Sequence, residues 1–363
     1  MLPAAAFRIP ASLIECFPMK SRCSRRSSFL GFVAFFCFSA LAWAEAAKPL
    51  QIYFVDVEGG QATLFVTPAG QSLLIDTGWA TGPSSRRIVA ATKLAGIRKI
   101  DYVLITHFHA DHAGGAPALA RKIPIGAFLD HGELREHGKP MDQDYAAYQQ
   151  LVARGKYKHI VVRPGDKLPV RGIEAEVISA DGALIAQPLP GAGQSNNACK
   201  VSEQRSPDQT ENARSVGTLI SFGKLRILDL GDLTWDKEME LMCPVNRIGK
   251  VDLYIVSHHG WSQSGSPALV DAIAPRVAIM DNGAKKGGSP GPWQTIHSAP
   301  GLEGFWQLHY SMEGGTEHNV AEAYIANLGE TDPGNYLKVI AKPDGGMTVF
   351  NPRAQFQKSY PAR

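Results

Sequence analysis

One short segment restricts the possible folds of this chain more than any other part of it. The near-continuous apolar run Asp101–Ile105 reads as a strand buried on both faces, and it delivers the chain directly into Thr106-His107-Phe108-His109-Ala110-Asp111-His112. Residues i and i+2 leaving a strand end project to the same side, so His107 and His109 can converge on one ion. Asp111 and His112 fall on the following turn, placed for a neighbouring ion. Imidazole nitrogen with carboxylate oxygen suits zinc, and manganese or iron where oxygen predominates. A lone surface histidine carries no such message. Four such groups in close succession after a buried strand predict a metal centre at a strand end.

The rest of the chain supplies the scaffold such a centre needs. Gln51–Val57, Ala62–Thr67 and Ser72–Ile75 read as strands, with Pro68-Ala69-Gly70 turning a hairpin between the last two. Ser84–Ala95 has helical spacing and is ended by Gly96. Further strands are predicted at Ile125–Leu129, Ile173–Ser179, Val216–Phe222, Leu225–Leu230, Val251–Val256 and Val277–Met280, with helices over Gln143–Ala153, Thr234–Met242 and Pro267–Ile273. Tyr336–Ala341 and Met347–Phe350 flank Asp344-Gly345-Gly346 as a closing hairpin. Mixed strands and helices, with chemically interesting residues at strand ends, describe an α/β layered fold. Two stretches break the rhythm: 181–212 lacks an apolar period, and 282–300 is rich in Gly, Lys and Pro. A loop as long as the first is usually functional or disordered.

The first 44 residues read as an export leader. Basic residues in Lys20–Arg26 precede the apolar run Phe29–Ala42, and Ala42-Trp43-Ala44 offers a small-x-small cleavage site. A start at Met19 would give a more conventional length. Ser24-Arg25-Arg26 has the twin arginine of one export route, but Ser28 stands where that pattern wants an apolar residue. The apolar run is short for a membrane span, so no transmembrane anchor is expected in the mature chain, which is taken as one domain over 45–363. A periplasmic or secreted location follows. Of 37 basic and 34 acidic residues, five basic and one acidic lie in the leader, leaving the remainder close to neutral. A body that coats nucleic acid through bulk positive charge is therefore not expected. The leader also removes three cysteines. The two that remain, Cys199 and Cys243, can pair in an oxidising compartment or stay as buried thiols.

The motifs carry a family resemblance. His-x-His-x-Asp-His followed by Ala113-Gly114-Gly115, with Ile75-Asp76-Thr77-Gly78 upstream, resembles the metallo-β-lactamase fold. Phe54-Val55-Asp56-Val57-Glu58-Gly59-Gly60-Gln61, Leu230-Gly231-Asp232 and Val256-Ser257-His258-His259-Gly260 resemble the hydrolase domain of bacterial competence (DNA-uptake) channel proteins. The resemblance covers about residues 50 to 282 and leaves 283–363 as a C-terminal extension. It implies an αββα sandwich with two divalent metal ions on the sheet edges. His107 and His109 would hold the first ion, Asp111 and His112 the second, and Asp232 would bridge both. His258 or His259 would complete the second site; His258 is favoured as ligand because it stands directly at the strand end, leaving His259 as an outer-shell group or catalytic proton donor. Asp76 would brace the metal loop without binding metal.

The chain departs from the family pattern in two places. Where most members carry another histidine for the first ion, it reads Glu211-Asn212-Ala213-Arg214-Ser215. Asn212 could contribute oxygen there; His131, His137 and His159 are remote candidates. Gln61 stands where the competence branch usually has Asp. A water held between two divalent ions supplies hydroxide at neutral pH and needs no Ser or Cys nucleophile, so Asp111 and its neighbours act by holding that pair. The expected function is an exported metal-dependent hydrolase of phosphodiester or ester bonds, acting on a small-molecule or phosphodiester substrate. Zinc is the first choice of metal, with manganese or iron as alternatives. The competing readings are a lactonase or β-lactamase, and a metal-stabilised periplasmic binding protein whose incomplete first site does not turn over. Lys285 and Lys286 are read either as phosphate contacts or as solvated loop residues.

Overall fold

The structure, a computed structural model, describes residues 48–154, 156–329 and 333–363. The leader predicted over residues 1–44 lies outside the described residues. Chain order gives β1 (Leu50–Phe54), β2 (Thr63–Val66), β3 (Ser72–Ile75), α1 (Ser84–Leu94), β4 (Ile100–Leu104), α2 (Ala116–Ala120), β5 (Ile125–Asp130), α3 (Met141–Ala153) and β6 (Lys158–Val161). There follow β7 (Glu174–Ala180), β8 (Ala183–Leu184), β9 (Gly217–Phe222), β10 (Leu225–Asp229), α4 (Trp235–Met242), β11 (Leu253–Ile255), α5 (Pro267–Ile273) and β12 (Val277–Met280). The remainder is α6 (Pro290–His297), β13 (Gly304–His309), β14 (Ile325–Asn327), β15 (Leu337–Ala341), β16 (Met347–Asn351) and β17 (Phe356–Tyr360).

These strands form two sheets, ordered β17-β16-β15-β1-β2-β3-β4-β5-β6 and β14-β13-β12-β11-β10-β9-β7-β8. Three separate apolar clusters define four layers. One draws Ile52, Phe54, Leu104 and Leu129 of the first sheet against Ile227, Ile255, Ile279 and Trp306 of the second. The outward residues of the first sheet, among them Leu64, Val103 and Phe128, pack with Ile88 and Leu119 of α1 and α2 and with Tyr148 of α3. Leu228, Tyr254 and Ala278 of the second sheet pack with Leu241, Leu269 and Ile296 of α4, α5 and α6. The central strands are apolar on both faces because each face meets a different layer, which is the αββα arrangement.

Two features differ from the sequence reading. The Gly- and Pro-rich stretch 282–300 contains α6, with Pro290 in the first turn, where a missing N–H costs no hydrogen bond. The segment beyond residue 283 is no appendage. β13 and β14 extend the second sheet in parallel, while β15 pairs antiparallel with β1 along Leu50–Phe54 and carries β16 and β17 outward. Buried Arg276 donates to the carbonyls of Gly345 and Pro361, tying that hairpin end to the second sheet. Cys199 and Cys243 form a disulfide that fastens the loop 181–212 to the end of α4. Among the described residues, no helix is long and apolar enough to cross a membrane.

Candidate metal centre

Strands β3–β6 run parallel, and so do β10–β14. Asp76 follows β3, His107–His112 follow β4, Asp232 follows β10, His258 and His259 follow β11, and Asp281 follows β12. The chemistry thus gathers at the carboxyl ends of parallel strands, where backbone direction changes and side chains are released from the sheet. Three of these residues hold positive φ without being glycine: Asp76 at 60°, His258 at 54° and His259 at 55°. Such backbone costs about 1–3 kcal/mol per residue and persists where surrounding contacts enforce it.

Asp111, His112, Asp232 and His259 each offer one donor atom, all within 4.8 Å of one another and all buried. His112 Nε2 lies 3.2 Å from His259 Nε2, 3.3 Å from Asp111 Oδ2 and 3.2 Å from Asp232 Oδ2. His259 Nε2 is 3.2 Å from Asp111 Oδ2 and 3.6 Å from Asp232 Oδ1. Beside this group, His107 Nε2 and His109 Nδ1 approach to 2.9 Å, and Asp232 Oδ2 is 3.9 Å from His107 Nε2. Asp232 therefore stands between two sets of imidazole donors. Its Oδ1 is buried without a hydrogen-bond partner, as is Oδ1 of Asn212. Buried carboxylates and imidazoles converging with lone pairs left over form a donor set that fits divalent cations.

Electrostatics follow from the crowding. Burial alone would push the Asp111 carboxyl up, but His112, a hydrogen bond from His259 and the Lys286 ammonium hold it well below the usual carboxylate range. Asp232 follows the same pattern, with His112, His258 and His259 overcoming burial. Burial lowers His107 well below the ordinary imidazole range, and nearby His112 and His109 add to that. Against burial, Asp232, Asp111 and Asp76 raise His112. His259 is likewise raised to about 9 by Asp232 and Asp281, while burial takes His258 down to about 4.

Neighbouring groups fix the rings. Asp76 Oδ2 lies 2.7 Å from His112 Nδ1, and the same carboxylate accepts from the Thr106 N–H and hydroxyl at 2.8 and 2.7 Å. Asp281 Oδ1 lies 3.3 Å from His259 Nδ1, and Glu136 Oε2 lies 3.3 Å from His109 Nε2. The glycine turn before Gln61 has a steric reason: a Cβ on Gly60 would sit 2.3 Å from the Asp111 carbonyl oxygen. Gln61 donates its side-chain amide to Asp229 Oδ2 at 2.7 Å and its backbone N–H to the Asp111 carbonyl at 3.2 Å. A glutamine at this position is thus a donor to a buried acid.

Of the residues singled out in the sequence, His107, His109, Asp111, His112 and Asp232 come together, and Asp76 braces His112. The preference between the adjacent histidines reverses: His259 enters the four-residue cluster, not His258. The positive-φ turn swings His258 so that Nδ1 meets Ser264 Oγ at 3.2 Å and its ring stands against Trp261, leaving Nε2 3.4 Å from Asp232 Oδ2. Asn212 is buried, and its place directly after Glu211 puts it in the segment that Glu136 holds next to His109. The remote histidines go elsewhere: His131 to Glu211, His137 to Asp142 and His159 to Asp130. Asp281 escaped sequence reasoning although it ends a strand that was recognised. Glu136 lies in a loop without a pattern and carried no signal.

A family model for the metallo-beta-lactamase superfamily matches residues 55–195. A UPF0173 metal-dependent hydrolase from Cupriavidus taiwanensis is 38% identical over 228 residues, which make up 61% of this chain and 71% of that protein. The chain belongs to the metallo-β-lactamase superfamily. It is also 24% identical over 266 residues to Recombination protein 2 of Haemophilus influenzae, covering 72% of this chain and 27% of that one. Competence protein ComA of Neisseria gonorrhoeae is 23% identical over 227 residues, with 62% and 26% covered. The chain spans about a quarter of the length of these two relatives. The crystal structure of the metallo-beta-lactamase fold protein YhfI from Bacillus subtilis aligns with a TM-score of 0.40 at 14% identity, covering 80% of this chain and 99% of that one.

Proposed function

We propose that this hydrolase is exported and cleaves phosphodiester bonds with two divalent ions, zinc first among them. His107 and His109, with Asn212 Oδ1 in place of a third histidine, would hold one ion; Asp111, His112 and His259 would hold the other, and Asp232 both. When bound, such a pair supplies hydroxide at neutral pH and neutralises charge developing on the substrate. His258 and Ser264 keep Asp232 oriented, Asp76 fixes the tautomer of His112, and the Asp281 carboxylate faces His259 as a charge partner.

One observation carries the choice of an anionic substrate. The Lys286 ammonium pairs with Asp111 Oδ2 at the edge of the cluster and lies 5.2 Å from the Trp79 ring centre and 5.8 Å from that of Trp261. A cation beside the donor cluster, flanked by two indoles, suits a phosphoryl oxygen with a flat group next to it. A neutral lactone gains nothing from it. Similarity to proteins named for recombination and competence supports the same choice. The leader supports export.

The test is turnover of zinc-loaded and manganese-loaded protein on bis(p-nitrophenyl) phosphate, a lactone and a β-lactam, with chelated protein as blank. The phosphodiester should be turned over fastest, and Lys286→Ala should slow it by roughly tenfold to a hundredfold, the worth of a hydrogen bond to a charged group. Faster lactone or β-lactam turnover, indifferent to Lys286, would replace this reading. Export is checked by the N-terminal sequence of protein recovered outside the cytoplasm.

A further inference from the structure

His109 keeps different company at its two ring nitrogens. Nδ1 faces His107 Nε2, whereas Nε2 faces Glu136 Oε2 at 3.3 Å. That same Oε2 accepts the backbone N–H of Glu211 at 2.8 Å. Glu211 returns the contact. Its fully buried carboxylate accepts the N–H groups of Arg135 at 2.6 Å and Glu136 at 3.4 Å, and that of Phe108, inside the metal loop, at 3.3 Å. His131 Nε2 stands 3.1 Å from it as well. Two glutamates distant in sequence thus clasp each other's backbone, and the clasp touches both the His109 ring and the loop that carries it. Asn212, with its unpartnered buried oxygen, is the next residue along.

We propose that Glu136 is a positioning residue for an ion held by His107 and His109, and that its clasp with Glu211 closes this ion's site in a chain without a third histidine. The proposal rests on the two-ion reading above. A carboxylate on Nε2–H fixes the imidazole tautomer and ring orientation, so the Nδ1 lone pair is the one presented toward His107. The reciprocal backbone bonds fix where Asn212 begins. Glu136 touches no substrate; it acts through His109.

Cobalt(II) titration of metal-free full-length protein tests this, followed by calorimetry and by the visible spectrum of the bound metal. Wild type should show two binding steps. Glu136→Ala should weaken one step roughly 10–100-fold, the range for lost outer-shell partners, and leave the other unchanged. Glu136→Gln keeps a neutral acceptor for the Glu211 N–H and should fall between. Asp281→Asn, next to His259, should weaken the opposite step. Arg135→Ala, in the same loop as Glu136, removes only exposed side-chain pairs with Asp181 and Glu133, and both steps should survive it. Two unchanged steps in Glu136→Ala would overturn the proposal alone. So would equal weakening of both steps with a lowered melting temperature of the metal-free protein, since that is general loosening. A single step in wild type would overturn it together with the two-ion reading.

Discussion

Replacing Asp229 by asparagine probes the pairing that explains Gln61. Asp229 is buried at the end of β10, with Oδ2 accepting from Gln61 and Oδ1 accepting the Gly231 N–H at 2.9 Å. Burial pushes its carboxyl up to about 7, against those two hydrogen bonds. In the unfolded chain an aspartate loses its proton near pH 4, so between that pH and 7 the folded chain holds one proton more. Stability contributed by this residue therefore falls as pH rises through the window and levels off above 7. From pH 5 to pH 8 the loss comes to about 3 kcal/mol, roughly two pH units at about 1.4 kcal/mol each. Asp229→Asn removes the titration; the new side chain keeps an oxygen for Gly231, and Gln61 can turn its amide to offer oxygen in return. Urea unfolding of chelator-treated protein at pH 5, 6, 7 and 8 gives the assay, with the difference between variant and wild type cancelling other buried acids such as Glu238, also raised to about 7 by burial. The variant should gain on wild type by about 3 kcal/mol across the series. A gap that stays constant with pH would refute the reasoning.

Asp232→Ala and His109→Ala should abolish turnover while the far-UV spectrum stays folded, and His259→Ala should lose far more activity than His258→Ala; wild-type rates in the first three, or the reverse order of the last two, would reassign the site. Gly60→Ala should cost about 1–3 kcal/mol of overpacking and strip metal from the Asp111 side, because the added carbon meets backbone and not a yielding side-chain tip; melting temperature and metal content check it. Reduction of Cys199–Cys243 should raise KM more than it depletes metal, since Asn196 still bonds the carbonyls of Met242 and Ala268, and metal loss at unchanged KM would contradict that. The bridge closes 44 residues, which corresponds to about 4 kcal/mol of unfolded-chain entropy.

Residues whose role is set by local pattern were legible in the sequence. β3, β12 and α5 fall where their apolar runs and turn residues put them, and the histidine-rich turn follows β4 because a buried strand must end before polar ligands can emerge. Bounds elsewhere shifted by one to three residues, the most at the end of β1. Legibility failed where a residue depends on a distant segment. Nothing near Glu136 announces that Glu211, 75 positions away, will share its carboxylate with His109. The choice between His258 and His259 turns on two left-handed backbone angles, which no spacing rule encodes. The role of β13–β17 was hidden for a related reason: strand pairing between β15 and β1 joins the two ends of the described chain.

The donor set is divided between the layers. His107, His109, Asp111 and His112 leave the first sheet, whereas Asp232 and His259 leave the second. Neither layer alone offers a complete cage, so any cation seated there is held by both and acts as a rivet between them. Its binding free energy is then also adhesion between the two sheets, growing with free metal concentration over the dissociation constant. A metal-starved chain would keep each layer's own apolar cluster and lose the fastener at the rim of the shared one. Scarcity of metal would thus be felt first as slippage of one sheet over the other, at the edge where the donors of both must stay in register.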